Sequence, residues 1–275
     1  MLFPNFRSIL ISSALKIDLY NKGSASNADI FMIDFEDSVS MKDKNNARHE
    51  FLVNKNQIKT NCGYNFRINC IHSIDGIRDI MFLIDNSINV NYILVSKASS
   101  SIDLKLIKNL FVSASVKPPK LISLIETAEA VINIDDIAKY SDALLFGSAD
   151  LSLELGLPPT FINNLAYYRQ QVVLCACKYK IPAIDTPTFM LRNKETLTMD
   201  VLESKQIGFS GKLAISKSQV EIINEMYQYD SNDVEWANSI SHIDNNITGI
   251  LSVKDIMVGN PFYKLAQKIV TTSKK

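Results

Sequence analysis

The chain has 275 residues, with 29 basic and 29 acidic side chains and a formal net charge of zero. Of these residues 47% are hydrophobic, enough to offset the ordering entropy of a globular fold, which excludes a disordered chain. The balanced charge argues against nucleic acid as a partner, because no excess of cations exists to neutralise phosphates.

A length of 275 residues fits two domains of roughly 150 residues or one α/β barrel of about 250. The N-terminal stretch MLFPNFRSILISSALKIDLY lacks a basic leader and a long apolar core, so it does not read as a signal peptide. No stretch approaches the ~20 apolar residues that cross a bilayer. The expectation is a soluble, cytoplasmic protein with no membrane partner. Cys62, Cys70, Cys175 and Cys177 form no C-x-x-C pair and read as buried, reduced thiols. None of the 9 glycines falls in a G-x-G-x-x-G or G-x-x-x-x-G-K-[ST] loop.

In chain order, eight β-rich runs alternate with helical segments. The predicted strands are Ser8–Ile11, Ile30–Ile33, Asn65–Ile68, Tyr92–Val95, Leu121–Ile125, Ala143–Phe146, Ala183–Asp185 and Lys212–Ile215. Runs such as IFMI, YILV and ALLF are near-continuous apolar stretches, as parallel strands covered on both faces require. Helical patterning marks Asp43–Lys59, Thr127–Tyr140, Phe161–Tyr179 and Ser216–Tyr227, the last with a serine in N-cap position. The βα alternation fits a closed (β/α)8 TIM barrel, with an open doubly wound sheet as the other arrangement. The predicted division is a barrel over 1–230 and a C-terminal helical extension over 231–275. The extension has a polar first half, then a helical pattern of Phe262, Leu265 and Ile269 after Pro261.

In such barrels the chemistry sits at the C-terminal ends of the strands. Charged groups fall at seven of these eight ends. They are Asp34, Glu36 and Asp37 after strand two, Arg67 on strand three, Lys97 after strand four and Glu126 after strand five. Strand six leads to Gly147, Ser148, Ala149 and Asp150, strand seven ends on Asp185, and Lys217 follows strand eight. Glu126 and Asp150 on adjacent ends suit Mg2+, which takes few protein oxygens plus waters and substrate oxygens. The alternative is that each caps a helix or holds a salt bridge. Arg67 matches a carboxylate in bidentate fashion, or else makes a rim salt bridge with Glu36 or Asp37. His49, His72 and His242 form no zinc-type cluster. The serine-rich stretch Ser96–Ser101 reads either as a phosphate loop or as a loop with a helix N-cap.

The chain resembles the citrate lyase β-subunit-like branch of the HpcH/HpaI aldolase superfamily. The segments carrying the resemblance are FRSILI, ADIFMIDFEDSV with KNNAR, FRIN around Arg67, LVSK around Lys97 and LIETAEAV around Glu126. LLFGSADLSLELG around Asp150, IPAID around Asp185 and GFSGKLAIS complete it. The resemblance implies a TIM barrel that uses Mg2+ to make or break carbon–carbon bonds through an enolate. The substrate would be a 2-oxo or 2-hydroxy acid, with CoA or a carrier as the thioester partner. By that match Glu126 and Asp150 would be the metal ligands, and Arg67 would hold a substrate carboxylate. Lys97, Gly147, Ser148 and Ala149 would bind substrate, while Glu36 and Asp37 would order the mouth. Such proteins assemble as trimers or hexamers, with the tail reaching a neighbour's site.

Four departures stand out. The usual Pro-Gly after the first strand is Ser12–Ser13–Ala14, and the usual Leu-Pro-Lys is Val95–Ser96–Lys97. The usual Ile-His-Pro is Ile215–Ser216–Lys217. Where the tail would read Met-Ile-Asp-x-Pro it reads Met257–Val258–Gly259–Asn260–Pro261, so glycine replaces the acid/base aspartate. Asp255, four residues earlier, is the substitute candidate. The predicted activity is a carbon–carbon lyase or aldolase. The alternatives are a divergent member that binds a small acid or a partner subunit without cleavage, and a specialised biosynthetic enzyme on a free or carrier-bound acid.

Overall fold

The computed structural model describes residues 6–16, 27–58, 62–158, 165–241, 251–253 and 256–273, together with Phe3 and Thr60. Eight parallel strands close into a barrel: β1 Ser8–Ser13, β2 Ile30–Asp34, β3 Tyr64–Ile68, β4 Val90–Val95, β5 Lys120–Ile125, β6 Ala143–Phe146, β7 Ala183–Asp185 and β8 Gly211–Ala214. Closure is made by β1, which pairs with β2 on one side and β8 on the other. All eight predicted strands are present, and the open sheet is excluded by the β1–β8 pairing.

Side chains alternate across each strand, so every strand feeds two cores. Ile9, Ile30, Met32, Leu94, Ile122, Leu124, Leu145, Ile184 and Leu213 fill the barrel interior. The opposite faces pack against α1 Lys44–Asn54, α2 Ile74–Asp85, α3 Ser101–Ser113, α4 Ala128–Ile132, α5 Ile134–Ala138, α6 Ser148–Glu154, α7 Ala166–Tyr179, α8 Lys194–Ile207 and α9 Lys217–Met226. The segment predicted as one helix over Thr127–Tyr140 is two short ones, α4 and α5, joined at Asn133. Ser216 is the N-cap residue of α9, but its side chain caps nothing and meets Ser218 instead. The serine-rich stretch is an N-cap: Ser100 and Asp103 form a capping box at the start of α3.

Two expectations are corrected. Cys175 is buried, but Cys62 and Cys177 are exposed; on α7 residues two apart point to different faces. Asp185 does not face the mouth. Ile184 points into the barrel, so Asp185 points out into the helix layer, where Arg169 and Lys212 hold it.

After the barrel come α10 Ser231–Ser241, an antiparallel pair of β9 Leu251–Val253 and β10 Ile256–Val258, and α11 Asn260–Ser273. These enclose a small core of Ala237, Ile240, Val258, Tyr263, Ala266 and Ile269. The buried stripe of α11 is therefore Tyr263, Ala266 and Ile269, not the expected Phe262, Leu265 and Ile269. Phe262 and Leu265 lie 40% and 46% exposed beside an exposed Met257. Among the described residues no helix is long and apolar enough to cross a membrane.

Candidate functional site

The C-terminal mouth of the barrel holds a cavity of about 440 Å³. Asp34, Asp37, Arg67, Glu126, Gly147, Ser148, Ala149 and Asp150 all line it. Glu36 and Lys97 are not part of the lining. Asp255 and His242 lie outside the described residues. His49 is exposed, and His72 meets Asp103 at 2.9 Å outside the cavity.

The turn after β2 is built around Phe35. Its ring points away from the mouth, stacks on Phe66 and meets Phe51 and Phe82 edge-on. The Phe35 carbonyl accepts hydrogen bonds from Lys44 Nζ and Asn69 Nδ2 at 2.9 Å each, and Lys44 also donates to the Glu36 carbonyl at 2.7 Å. Asp34 closes the turn by accepting from the backbone N–H groups of Glu36 and Ser38. Of the two acids that follow, Asp37 lines the cavity and Glu36 lies buried beside Arg67.

Arg67 projects from β3 onto this turn. It forks onto Asp34, with Nε donating to Oδ1 at 2.7 Å and Nη2 to Oδ2 at 2.6 Å. Nη1 lies 3.1 Å from Glu36 Oε2 and 3.5 Å from Asp37 Oδ2. Burial works against the Arg67 charge, yet the three carboxylates hold its pKa above the ordinary value. Burial likewise opposes the Asp34 charge, and the guanidinium overcomes it, holding that carboxyl below its usual range. Sequence reading expected Glu36 or Asp37 as the ion-pair partner and missed Asp34. No local pattern reveals the β2–β3 pairing that sets Asp34 beside Arg67.

Glu126 follows β5 and is buried, 3% exposed as a residue. Its Oε1 accepts the Lys97 backbone N–H at 2.8 Å, presented by a left-handed Lys97 at φ 52°. Gly147 makes room for it: a Cβ there would lie 2.5 Å from Glu126 Cβ and 3.1 Å from Oε2. Asp150 sits in the first turn of α6, with Lys97 Nζ 3.9 Å from its Oδ1. Burial, then repulsion from Glu36 and Asp150, pushes Glu126 up to about 8. Burial and the neighbouring acids push Glu36 to about 7, against the pull of Arg67.

Five carboxylates therefore crowd a mouth where Arg67 is already committed to Asp34. The raised Glu126 reflects its burial first and the neighbouring acids second. Its oxygens and those of Asp150 are hard donors of the type a small divalent cation takes, with remaining positions left to water or ligand. Among the described residues no group of three His, Cys, Asp or Glu converges to hold a metal unaided.

The family model for HpcH/HpaI aldolase/citrate lyase matches residues 7–217. An L-malyl-CoA/β-methylmalyl-CoA lyase of Rhodobacter capsulatus is 27% identical over 237 residues, covering 76% of this chain and 74% of that protein. The crystal structure of RipC from Yersinia pestis matches with a TM-score of 0.72 at 28% identity, covering 84% of this chain and 99% of that one. The protein CitE of Mycobacterium tuberculosis, solved in complex with magnesium, acetoacetate and coenzyme A, shares the fold. Its TM-score is 0.83 at 20% identity, with 98% of each chain covered. With the closed barrel, the mouth carboxylates and a family match over most of its length, the chain belongs to the HpcH/HpaI aldolase/citrate lyase family.

Proposed function

We propose that this chain is a Mg2+-dependent carbon–carbon lyase or aldolase. Its substrate is a 2-oxo or 2-hydroxy acid, or an acyl thioester on CoA or a carrier, handled through an enolate. The observation that carries this reading is that Glu126, Asp150 and Arg67 line one cavity. It is supported by relatives that are lyases of malyl-CoA type and by a fold neighbour solved with magnesium. Glu126 and Asp150 would hold Mg2+, which supplies Lewis-acid polarisation of a carbonyl when bound.

The chain's own residues divide the remaining work. Arg67 orients a substrate carboxylate through Nη1, the one terminal nitrogen not used by Asp34. The incoming carboxylate displaces Asp37, which is exposed and only loosely in contact at 3.5 Å. Glu36 stays behind the guanidinium and keeps its charge balanced. Lys97 draws Asp150 inward, and Gly147, Ser148 and Ala149 form the wall against which the reacting carbon lies. Proton transfer falls to water, to the substrate or to Asp255, since Gly259 has no side chain.

The tail from residue 231 onward is proposed as an extension that docks on a neighbouring copy in a trimer or hexamer. Its separate small core and exposed Met257, Phe262 and Leu265 support this. Gly259 also favours a second reading, in which the barrel binds a small acid or a partner subunit without cleaving anything.

The test is calorimetric titration with Mg2+, then with pyruvate, oxaloacetate and acetyl-CoA, followed by product analysis. Glu126→Ala and Asp150→Ala are each expected to abolish Mg2+ binding and turnover. Retained metal affinity in both variants would sink the ligand assignment, and binding without product would favour the second reading.

A further inference from the structure

The KNNAR motif, residues 44–48, opens α1 and has no part in the cavity lining, yet both its cations are buried. Lys44 and Arg48 stand four residues apart, share one helix face and are 5% and 6% exposed. Among the described residues no carboxylate lies within ion-pair distance of Lys44 Nζ. It donates instead to the carbonyls of Phe35 and Glu36, at 2.9 and 2.7 Å. Burying a cation on neutral partners is costly, and an apolar side chain of similar length would fill the space without that penalty. What the ammonium adds is position. Two consecutive carbonyls converge on one nitrogen, which fixes the peptide planes on both sides of Glu36.

A second set of contacts reaches the same Phe35 carbonyl. Arg48 Nη1 donates to Oδ1 of the fully buried Asp79. Asp79 Oδ2 accepts the backbone N–H of Asn69 at 2.9 Å and its Nδ2 at 2.7 Å. Asn69 Nδ2 donates in addition to the Phe35 carbonyl at 2.9 Å. The Phe35 N–H donates to the Arg67 carbonyl at 3.0 Å. The backbone of Phe35 is therefore tied at both polar atoms, to β3 through Arg67 and Asn69 and to α1 through Lys44. Helix α2 is seated directly on this strand end: a Cβ at Gly76 would lie 2.7 Å from the Asn69 carbonyl oxygen.

We propose that Lys44, backed by Arg48, Asp79 and Asn69, is a positioning residue for the acid-binding end of Arg67. It touches no substrate. It holds the turn after β2 so that Asp34 keeps its fork on Arg67 and Glu36 stays 3.1 Å from Nη1. Once the turn is released, the Glu36 and Asp37 carboxylates close on Nη1 and compete with an incoming acid. This rests on the reading of Arg67 as the residue that holds a substrate carboxylate. Glu126 and Asp150 stand on other elements, after β5 and in α6, so Mg2+ affinity is not under the control of Lys44.

The experiment compares wild type, Lys44→Met, Lys44→Arg and Asn69→Ala, each checked by circular dichroism. Calorimetry measures Mg2+ alone, then pyruvate and oxaloacetate in saturating Mg2+. Lys44→Met is expected to weaken binding of both acids about tenfold, the worth of one hydrogen bond to a charged group. Its Mg2+ affinity is expected to change by less than about twofold, as for an independent site. Lys44→Arg, which can still donate to carbonyls, is expected to recover most of the loss. Asn69→Ala is expected to act in the same direction and carries the test if Lys44→Met does not fold. Equal loss of acid and Mg2+ affinity would mark a general loosening of the barrel and overturn the proposal, as would unchanged acid affinity.

A second readout needs no ligand. The Arg67 Nε–H, identified in NMR spectra by its absence from Arg67→Lys, is expected to exchange faster with solvent in Lys44→Met than in wild type. Failure of the wild type to bind either acid would defeat the acid-binding reading of Arg67 instead. The Arg67 signal then judges the positioning alone: faster exchange upholds it, and an unchanged rate overturns it.

Discussion

Asp34 and Arg67 are joined by two parallel hydrogen bonds, and the same aspartate accepts the backbone N–H groups of Glu36 and Ser38. One buried carboxylate thus fixes both the plane of the guanidinium and the turn that carries the flanking acids. Removing it takes away both hydrogen bonds of a buried cation and leaves only the longer contacts with Glu36 and Asp37. Asp34→Ala is expected to lose about 3–5 kcal/mol of stability in urea unfolding. Arg67→Lys, which keeps the charge but cannot fork, is expected to raise KM for an acid substrate at least tenfold.

Glu126 and Glu36 set the pH response of the chain in the absence of divalent cations. Their folded values, about 8 and about 7, lie above the ordinary carboxylate value of 4.5. Each therefore binds a proton more tightly in the folded than in the unfolded state. Their contribution is fully present below about pH 4.5 and is lost as pH rises through about 7 and then about 8. The melting temperature in chelator is expected to fall between pH 6 and pH 8.5, and Mg2+ to restore more of it at the upper end. Differential scanning calorimetry with and without Mg2+ checks both; a melting temperature that rises over this range contradicts the assignment.

Gly147 is required by space rather than by backbone angle. A methyl group there collides with Glu126 Cβ, which is rooted in β5 and has no room to retreat. Gly147→Ala is expected to displace the Glu126 carboxylate and weaken Mg2+ affinity by about 10–100-fold. Direct metal titration reads this, alongside circular dichroism to confirm that the barrel is intact.

Gly259 is the opposite case. Nothing lies within 4 Å of a Cβ built there, and its carbonyl accepts the N–H groups of Phe262 and Tyr263 at the start of α11. Aspartate at such an N-cap is favourable, with little difference from glycine. Gly259→Asp is expected to fold with an unchanged or slightly higher melting temperature. If the tail reaches a neighbour's cavity, this variant supplies the missing acid and raises kcat, with general acid–base catalysis contributing about 10²–10⁴-fold. A stable variant with no gain in turnover would show that the proton moves by another route.

The strands were legible because a parallel strand covered on both faces must be apolar nearly throughout, and IFMI, YILV and ALLF have no other comfortable place. The mouth was legible for a related reason: Arg67, Glu126 and Asp150 each interrupt or follow such a run. Asp185 was misplaced because a strand alternates its faces. With Ile184 turned into the barrel, the next residue belongs to the helix layer, and the sequence shows no phase mark to say so. The α11 stripe was misjudged in the same way, since Phe262 and Tyr263 both fit a helical period and packing on α10 selected the second.

The sequence by itself determined the (β/α) alternation, the family and the residue types gathered at the strand ends, because these follow from local hydrophobic runs and short motifs. Only the tertiary structure decided that Arg67 belongs to Asp34 and that Glu126 rests on Gly147. Those relationships join residues on different strands, and barrel closure, a long-range event with no local signature, brings them together.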